Sequence, residues 1–131
     1  MSSSAAVDSY RRTQAQSSTP LERVVMLYDG ALRFARQARA AMDQNDIATR
    51  RDGLSKAIAI VGELQATLDM EQGGEISASL DRLYDYVQMR LLDATMHKDP
   101  GAIDDAMRVL DTLRDAWQTI AAGNPSPGPA A

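Results

Sequence analysis

An Asp-Gly pair inside an unbroken helical pattern is the feature that most constrains the fold of this 131-residue chain. Asp29-Gly30 would ordinarily mark a turn, but apolar residues recur on both sides at helical spacing and cross the glycine in register. The pattern therefore predicts a helix instead of a hairpin. Because glycine costs roughly 1 kcal/mol against alanine inside a helix, we expect a second backbone to pack closely at Gly30. The two apolar rows are Leu21, Val25, Tyr28, Leu32 and Ala35, and Val24, Leu27, Ala31, Phe34 and Ala38.

Capping residues and helix breakers divide the chain into four helices. Thr19, Pro20 and Glu22 supply an N-cap, a proline for the first turn and the acid of a capping box, so the first helix should run from Pro20 to about Asp43. Caps at Asn45 and Asp46 then open a second helix. Its apolar positions predict that it stops near Met70.

The second half of the chain repeats this organisation. Gly73 and Gly74 provide a left-handed cap and a turn, after which a third helix follows. Asp99-Pro100 ends that helix and begins the fourth. The apolar positions are Ile76, Leu80, Leu83, Val87, Leu91 and Ala94 in the third helix, and Ile103, Met107, Leu110, Leu113, Trp117 and Ile120 as the inward stripe of the fourth.

Four helices of similar length joined by short turns predict an all-α protein with an antiparallel up-and-down four-helix bundle. We expect the bundle to span residues 19–122. Residues 1–18 are polar and predict a flexible N-terminal arm, with Val7 and Tyr10 as its spaced apolar anchors. Residues 123–131 are rich in proline and predict a disordered tail.

Composition and charge exclude several classes of function. A net charge of −4 argues against nucleic-acid binding, and we expect the basic residues Arg33, Arg36, Arg39, Arg50 and Arg51 to form a solvated helix face instead of a docking patch. The longest apolar run is far shorter than the roughly 20 residues of a membrane span, and no secretory signal is present. The absence of cysteine removes disulfides and thiol chemistry. We therefore expect a cytoplasmic protein that does not insert into the membrane.

No constellation of catalytic residues is apparent. His97 is the only histidine, it has no Glu three residues before it for a di-metal site, and no nucleophile elbow accompanies it. A phosphotransfer bundle is the main enzymatic rival, but Pro100 would place its active histidine on a fraying helix end. Asp29 is explained as a surface pair with Arg33 one turn on. We predict that the protein is not an enzyme and carries no metal or cofactor.

Helices one and two each carry two adjacent apolar rows, so their apolar faces are wider than a narrow seam. Most of that width is ordinary bundle core. The surplus needs cover, either from the N-terminal arm through Val7 and Tyr10 or from a partner helix.

The order and spacing of several segments resemble the flagellin-specific export chaperone family, FliS, over about residues 10–117. Each segment alone is weak, and the resemblance rests on their combination in a chain of this length. The segments are Ser18-Thr19-Pro20, Met26-Leu27-Tyr28-Asp29-Gly30-Ala31-Leu32, Ile58-Ala59-Ile60-Val61-Gly62-Glu63-Leu64, Gly73-Gly74-Glu75-Ile76, Leu83-Tyr84-Asp85-Tyr86 and Leu113-Arg114-Asp115-Ala116-Trp117.

The resemblance implies a bacterial chaperone that binds the disordered C-terminal segment of flagellin, prevents premature polymerisation and delivers flagellin to the flagellar type III export gate. We hypothesise that one groove on helices one and two is lined or supported by seven residues. The arm would cap this groove through Tyr10 in the free protein, and the resemblance implies that it also docks to the export gate. The seven residues are Leu27, Tyr28, Ala31, Leu32, Ile58, Val61 and Leu64.

Periodicity cannot name the occupant of a groove, so a second hypothesis stays open from the residues alone. It is a helical adaptor or homo-oligomeric regulator with another amphipathic partner. For the chaperone we expect a monomer or a weak homodimer.

Overall fold

The computed structural model describes residues 19–123, which form four α-helices joined by short connections. Each helix packs against the two that neighbour it around the bundle, α1 against α2 and α4, and α3 against α2 and α4. This arrangement confirms the predicted up-and-down four-helix bundle. The expectations for residues 1–18 and for the proline-rich tail lie outside the described residues. The helices are α1 Pro20–Asp43, α2 Ile47–Ala66, α3 Gly74–His97 and α4 Pro100–Ala121.

The predicted capping box at the start of α1 is confirmed. The Thr19 hydroxyl accepts a hydrogen bond from the Glu22 backbone N–H, and the Glu22 carboxylate accepts one from the Thr19 N–H. These bonds satisfy donors that a helix start would otherwise leave unpaired. They also lower the pKa of Glu22. At the start of α4, Asp99 caps the helix through the Gly101 N–H and Pro100 occupies the first turn, as predicted.

The second helix ends earlier than its apolar pattern predicts. It stops at Ala66 instead of near Met70, and the Thr67 hydroxyl donates a hydrogen bond to the Leu64 carbonyl. Asp69 then accepts hydrogen bonds from the backbone N–H groups of residues 71 and 72, which fold the chain into a turn. These local side-chain bonds compete with further helical hydrogen bonds at the end of α2. Leu68 therefore lies beyond the end of the helix, in the turn, and still packs against the core.

The core is a continuous cluster of aliphatic and alanine side chains with two tyrosines. Alanines at the points where helices meet allow short distances between helix axes, and leucines and valines fill the space between. The largest fully buried side chains are Tyr28, Tyr84, Leu32, Leu54, Leu64, Leu91, Ile103, Leu110, Val61 and Val87.

Of the two glycines Gly30 and Gly53, Gly53 is the one that a neighbouring helix backbone approaches. A Cβ atom built on Gly53 would lie 2.7 Å from the Phe34 carbonyl oxygen, whereas one on Gly30 would meet only the Ile60 Cδ1 at 3.3 Å. Gly30 is buried, but its neighbour is the end of a side chain. The expectation of a backbone at Gly30 is therefore wrong, and the requirement for glycine falls on α2.

Ion pairs join α1 to α4. Asp29 pairs with Arg114 of α4, at 2.8 Å between Oδ1 and Nε, so the predicted pairing with Arg33 is wrong. In the same way Arg36 pairs with Asp111 and Arg39 with Asp104. Part of the basic series in the first half of the chain therefore holds helices together and is not simply a solvated face.

The described helices include none that is both long and apolar enough to cross a membrane.

Candidate functional site

The seven residues predicted to line or support a groove lie mostly inside the bundle. Val61 and Leu64 belong to the same buried core as the α1 residues of the set, and only Leu27 and Ile58 are half-buried at its edge. A fully buried side chain cannot contact a bound segment unless the bundle opens. The fully buried members are Tyr28, Ala31, Leu32, Val61 and Leu64.

The two half-buried members face different neighbours. Leu27 lies on the row of α1 that continues through Gly30 and Phe34, both of which approach α2. Ile58 lies near α3, because its carbonyl accepts a hydrogen bond from the Gln88 side chain at 3.0 Å. The structure therefore does not bring Leu27 and Ile58 together in one groove.

Tyr28 and Tyr84 meet across the centre of the bundle, from the diagonal helices α1 and α3. Their hydroxyl oxygens lie 2.5 Å apart, and both side chains are almost fully buried. Burial raises the pKa of Tyr28 well above its ordinary value, and the Tyr84 hydroxyl raises it further, while Trp117 acts in the opposite direction. Burial also raises the pKa of Tyr84. The pair stays neutral and fixes the register of two helices that otherwise have little contact.

An apolar groove opens between α3 and α4. We define the α3–α4 groove by its lining residues Leu83, Arg108, Val109, Thr112 and Leu113, which enclose about 280 Å³. Leu83 is 38 % exposed.

Further apolar side chains on the same two helices are open to solvent. Ile76 is 75 % exposed in the first turn of α3, and Ile120 is 48 % exposed in the last turn of α4. Because the two helices are antiparallel, both residues lie at the end of the helix pair that is away from the turn at residues 98–99. The predicted inward position of Ile120 is therefore wrong, and Ile76, an apolar position that helped to define the third helix, is exposed.

A second apolar strip follows the solvent side of α3. Met89, Leu92 and Met96 are about half or more exposed and are spaced three and four residues apart, so they share one helix face. We call this strip the outer row of α3. The apolar positions predicted for this helix from the sequence do not include this strip, because the core row through Val87 and Leu91 accounts for the helix, although the spacing of the outer row is itself a helical signal.

Charged groups close the other end of the interface between α3 and α4. Arg90 lies 3.1 Å from the Asp93 carboxylate and 3.0 Å from Asp105, and Asp105 also pairs with Arg108 at 2.8 Å. The pKa of Asp105 is lowered, first by Arg108 and then by Arg90. Opposite charges thus fasten the two helices near their connection, and the apolar opening lies beyond them.

The described residues hold no recognisable catalytic centre. His97 is exposed at the last position of α3, and Lys98 follows it in a left-handed conformation. Within residues 19–123, no three acidic or histidine side chains come together as a metal site would require. What the fold presents is a bundle with apolar surface on α3 and α4. That arrangement suits the binding of a polypeptide segment.

Comparisons with known proteins agree with this class. The sequence model of the family described as "Flagellar protein FliS" matches residues 2–124. The flagellar secretion chaperone FliS of Salmonella typhimurium is 40% identical over 105 residues, which are 79% of this chain and 78% of that protein. The chaperone of the same name from Campylobacter jejuni is 32% identical over 120 residues, or 92% of this chain and 94% of its relative.

A solved structure supports the fold independently. The crystal structure of a flagellar chaperone from bacteria superposes with a TM-score of 0.74 and covers 93% of this chain and 99% of its own, at 19% sequence identity. The family model and the relatives together show that the chain is a helical-bundle export chaperone and not an enzyme. It belongs to the FliS family of flagellar secretion chaperones.

Proposed function

We propose that this chaperone binds the C-terminal segment of flagellin in the bacterial cytoplasm, prevents its premature polymerisation and delivers it to the flagellar type III export gate. The relatives at 32% to 40% identity are named flagellar secretion chaperones, which supports an exported flagellar subunit as the cargo. A free flagellin terminus is an amphipathic segment without its normal partners. Covering its apolar side would keep it from assembling.

The main support for the proposed binding surface is the exposed apolar surface along α3 and α4. The α3–α4 groove presents the aliphatic side chains of Leu83, Val109 and Leu113, with Arg108 at its border, and Ile76 exposes a further one on α3. The outer row of α3 extends apolar surface around the same helix. A segment that wraps from the groove onto this row would bury both, as amphipathic helices do in apolar grooves.

The seven residues predicted on helices one and two support this surface in our proposal and do not line it. Val61 and Leu64 belong to the buried core against which α3 packs. Substitutions at such buried positions should lower the free energy of unfolding first and affect flagellin affinity only through it.

Calorimetric titration with the flagellin C-terminal segment tests the proposal directly. We expect one-to-one binding with a large negative heat-capacity change, because coupled folding of such a segment buries on the order of 1,000 to 3,000 Å². One-to-one stoichiometry would also agree with a chaperone that acts as a monomer. No binding by the folded protein would refute the proposed cargo.

A matched pair of substitutions tests the location. Ile76→Asp places a charge beside the α3–α4 groove, and Ile47→Asp places the same charge at the opposite end of the bundle. Both residues are exposed and lie in the first turn of a helix, where aspartate is tolerated. We expect Ile76→Asp to weaken flagellin binding at least tenfold and Ile47→Asp to leave it unchanged. Equal effects of the two variants would place the site elsewhere.

We propose in addition that the N-terminal arm covers the apolar opening in the free protein through Val7 and Tyr10, and that it docks to the export gate. Both residues lie outside the described part of the chain. The arm enters α1 at Pro20, and α1 packs beside α4, so it starts at the open end of the groove. Eighteen residues can extend roughly 60 Å, which is ample reach.

Substitution of Tyr10 by alanine tests the arm. If Tyr10 competes with flagellin, Tyr10→Ala should raise the affinity measured by calorimetry and increase hydrogen exchange on α3 and α4 in the free protein. Export-gate docking is measured separately, by binding of the purified gate component to the wild type and to Tyr10→Ala. An unchanged flagellin affinity together with unchanged exchange would exclude the cap.

A further inference from the structure

A pocket lies at the end of the bundle where two short connections meet, away from the α3–α4 opening. The connection between α1 and α2 and the connection between α3 and α4 form its walls, and its volume is about 260 Å³. We call it the end pocket. Its lining residues are Ala41, Met42, Asp43, Asn45, Asp46, Ile47, Arg50, Lys98 and Pro100.

Arg50 is the unusual residue of the end pocket. The residue lines the pocket, yet it is only 5% exposed, and the guanidinium Nε is buried without a hydrogen-bond partner. Arg39, in contrast, pairs with Asp43 at 2.8 Å. A buried charge without a counter-ion is costly, so an arginine that lines a pocket and forms no ion pair is suited to bind an anion.

The two carboxylates of the pocket are already engaged. Asp43 is held by Arg39, and Asp46 accepts a hydrogen bond from the Thr49 backbone N–H as the cap of α2. Hydrogen bonding by Thr49 also lowers the pKa of Asp46, which keeps it ionised. The nearby acids therefore leave Arg50 unpaired.

The chemistry of the lining selects among anions. A guanidinium presents a planar fork that matches the two oxygens of a carboxylate, and Lys98 adds a second positive charge to the wall. Asp43 and Asp46 add two negative charges, which disfavour a doubly charged ligand such as phosphate.

We propose that the end pocket binds one carboxylate group, with Arg50 as its principal partner and Lys98 as an auxiliary cation. The carboxylate comes either from a small free acid or from an acidic side chain of a bound polypeptide. The end pocket shares no lining residue with the α3–α4 groove, which lies midway along the two helices, although the outer row of α3 ends close to it at Met96.

Thermal unfolding in sodium acetate, with sodium chloride of equal ionic strength as reference, measures the proposed binding. A ligand that binds only the folded state raises the unfolding midpoint by about 5 °C for each tenfold excess over its dissociation constant. We expect this acetate-specific rise in the wild type and its loss in Arg50→Met. Arg51→Met is the matched control, because it removes the same charge from an exposed neighbour and should keep the rise.

Two further ligands distinguish the source and the type of anion. N-acetyl-aspartate amide carries its carboxylate on a peptide-like side chain, and a larger rise than with acetate would assign the site to an acidic residue of a polypeptide. A larger rise with acetate would assign it to a free acid. An Arg50-dependent effect that is stronger with phosphate would overturn the carboxylate assignment.

Direct observation of Arg50 avoids reliance on variants. The Nε–Hε resonance of a buried, unpartnered guanidinium should move downfield in the ¹⁵N–¹H spectrum of the wild-type protein when acetate is added. Lys98→Asn, which suits the left-handed backbone at that position, should weaken the response without abolishing it. An Arg50 resonance that ignores acetate, or equal midpoint shifts in Arg50→Met and Arg51→Met, would refute the site.

Discussion

The interface between α1 and α2 and the interface between α3 and α4 use the same kind of antiparallel pair in opposite ways. In the first, Gly53 brings the α2 backbone against the Phe34 carbonyl, and α1 and α2 form the most extensive contact of the bundle. In the second, Leu83, Val109 and Leu113 line an apolar groove between helices that pack against each other.

The difference shows that side-chain size at the point of closest approach decides whether a helix pair is closed or open. Small residues let backbones meet and exclude any further segment. Larger aliphatic residues on both helices leave valleys that remain partly exposed, as Leu83 does. The open pair is the one we assign to cargo binding.

The largest loss of stability is expected from a substitution in α4 at a core position beneath the groove. Leu110 is fully buried, so Leu110→Ala should lower the free energy of unfolding by about 2–5 kcal/mol in a urea titration. Leu83→Ala removes the same atoms from the open groove and should cost about 1 kcal/mol or less. If both variants lost equal stability, the groove would be part of the core and the contrast would disappear.

The next largest loss of stability is expected from a substitution that forces α1 and α2 apart. Gly53→Ala forces a Cβ to within 2.7 Å of a carbonyl oxygen, so the helices must separate, at a cost of about 1–3 kcal/mol. Gly30→Ala meets only the movable end of Ile60 and should be near neutral or slightly stabilising, because alanine favours the helix. Urea unfolding of the two variants distinguishes these outcomes, and a greater loss in Gly30→Ala would reverse our assignment of the close contact.

The tyrosine pair links a helix of the closed interface to a helix of the open one. Tyr84→Phe leaves the buried Tyr28 hydroxyl without this partner and should cost about 1–2 kcal/mol. The double variant Tyr28→Phe/Tyr84→Phe should cost less than the sum of the single variants, since both polar groups are gone. A double-mutant cycle by urea unfolding measures the coupling, and strict additivity would show that the hydroxyls do not interact.

The smallest expected changes are in the pH dependence of the unfolding free energy, to which one aspartate near each interface contributes. Asp46 and Asp105 both have lowered pKa values in the folded state, so each stabilises the fold above the ordinary aspartate pKa and loses that contribution as pH falls through its folded pKa. Asp46→Asn and Asp105→Asn should each flatten the dependence of unfolding free energy on pH between about 5 and 2.

The stability contributions of Asp46 and Asp105 should differ in their dependence on salt concentration. The Asp105 contribution rests mainly on Arg108 and Arg90 and should shrink in 1 M salt, because mobile ions screen ion pairs. The Asp46 contribution rests on hydrogen bonds from Thr49 and should persist. The measurement is the pH profile of each variant at low and high salt, and identical salt responses would contradict this division.

Most of the fold was predictable because its signals are local. The Thr19 capping box, the Asp99-Pro100 junction and the spacing through Gly30 are each written in neighbouring residues, and all three predictions are confirmed. The end of α2 was misplaced because apolar spacing continues to Leu68, while the competing bonds of Thr67 and Asp69 depend on the turn that forms.

The candidate surface was harder to predict, because periodicity identifies an apolar face but not its neighbour. Leu32 and Val61 have the spacing expected of a groove and lie in the core, whereas Ile76 has the spacing of a core residue and is exposed. The partner of Asp29 was likewise settled by a residue 85 positions away in sequence. Such long-range choices depend on which helices become neighbours, which no local pattern specifies.

The single tryptophan of the chain provides a fluorescence signal at the end of the bundle where α1 begins and α4 ends. Trp117 is half-buried near the end of α4, close enough to Tyr28 to affect its pKa. Emission excited selectively at the red edge of the absorption band, where tyrosine does not absorb, therefore originates from one known position. A change in its wavelength or intensity during a titration would follow events at that end in real time, while occupancy of the distant end pocket should leave the spectrum unchanged.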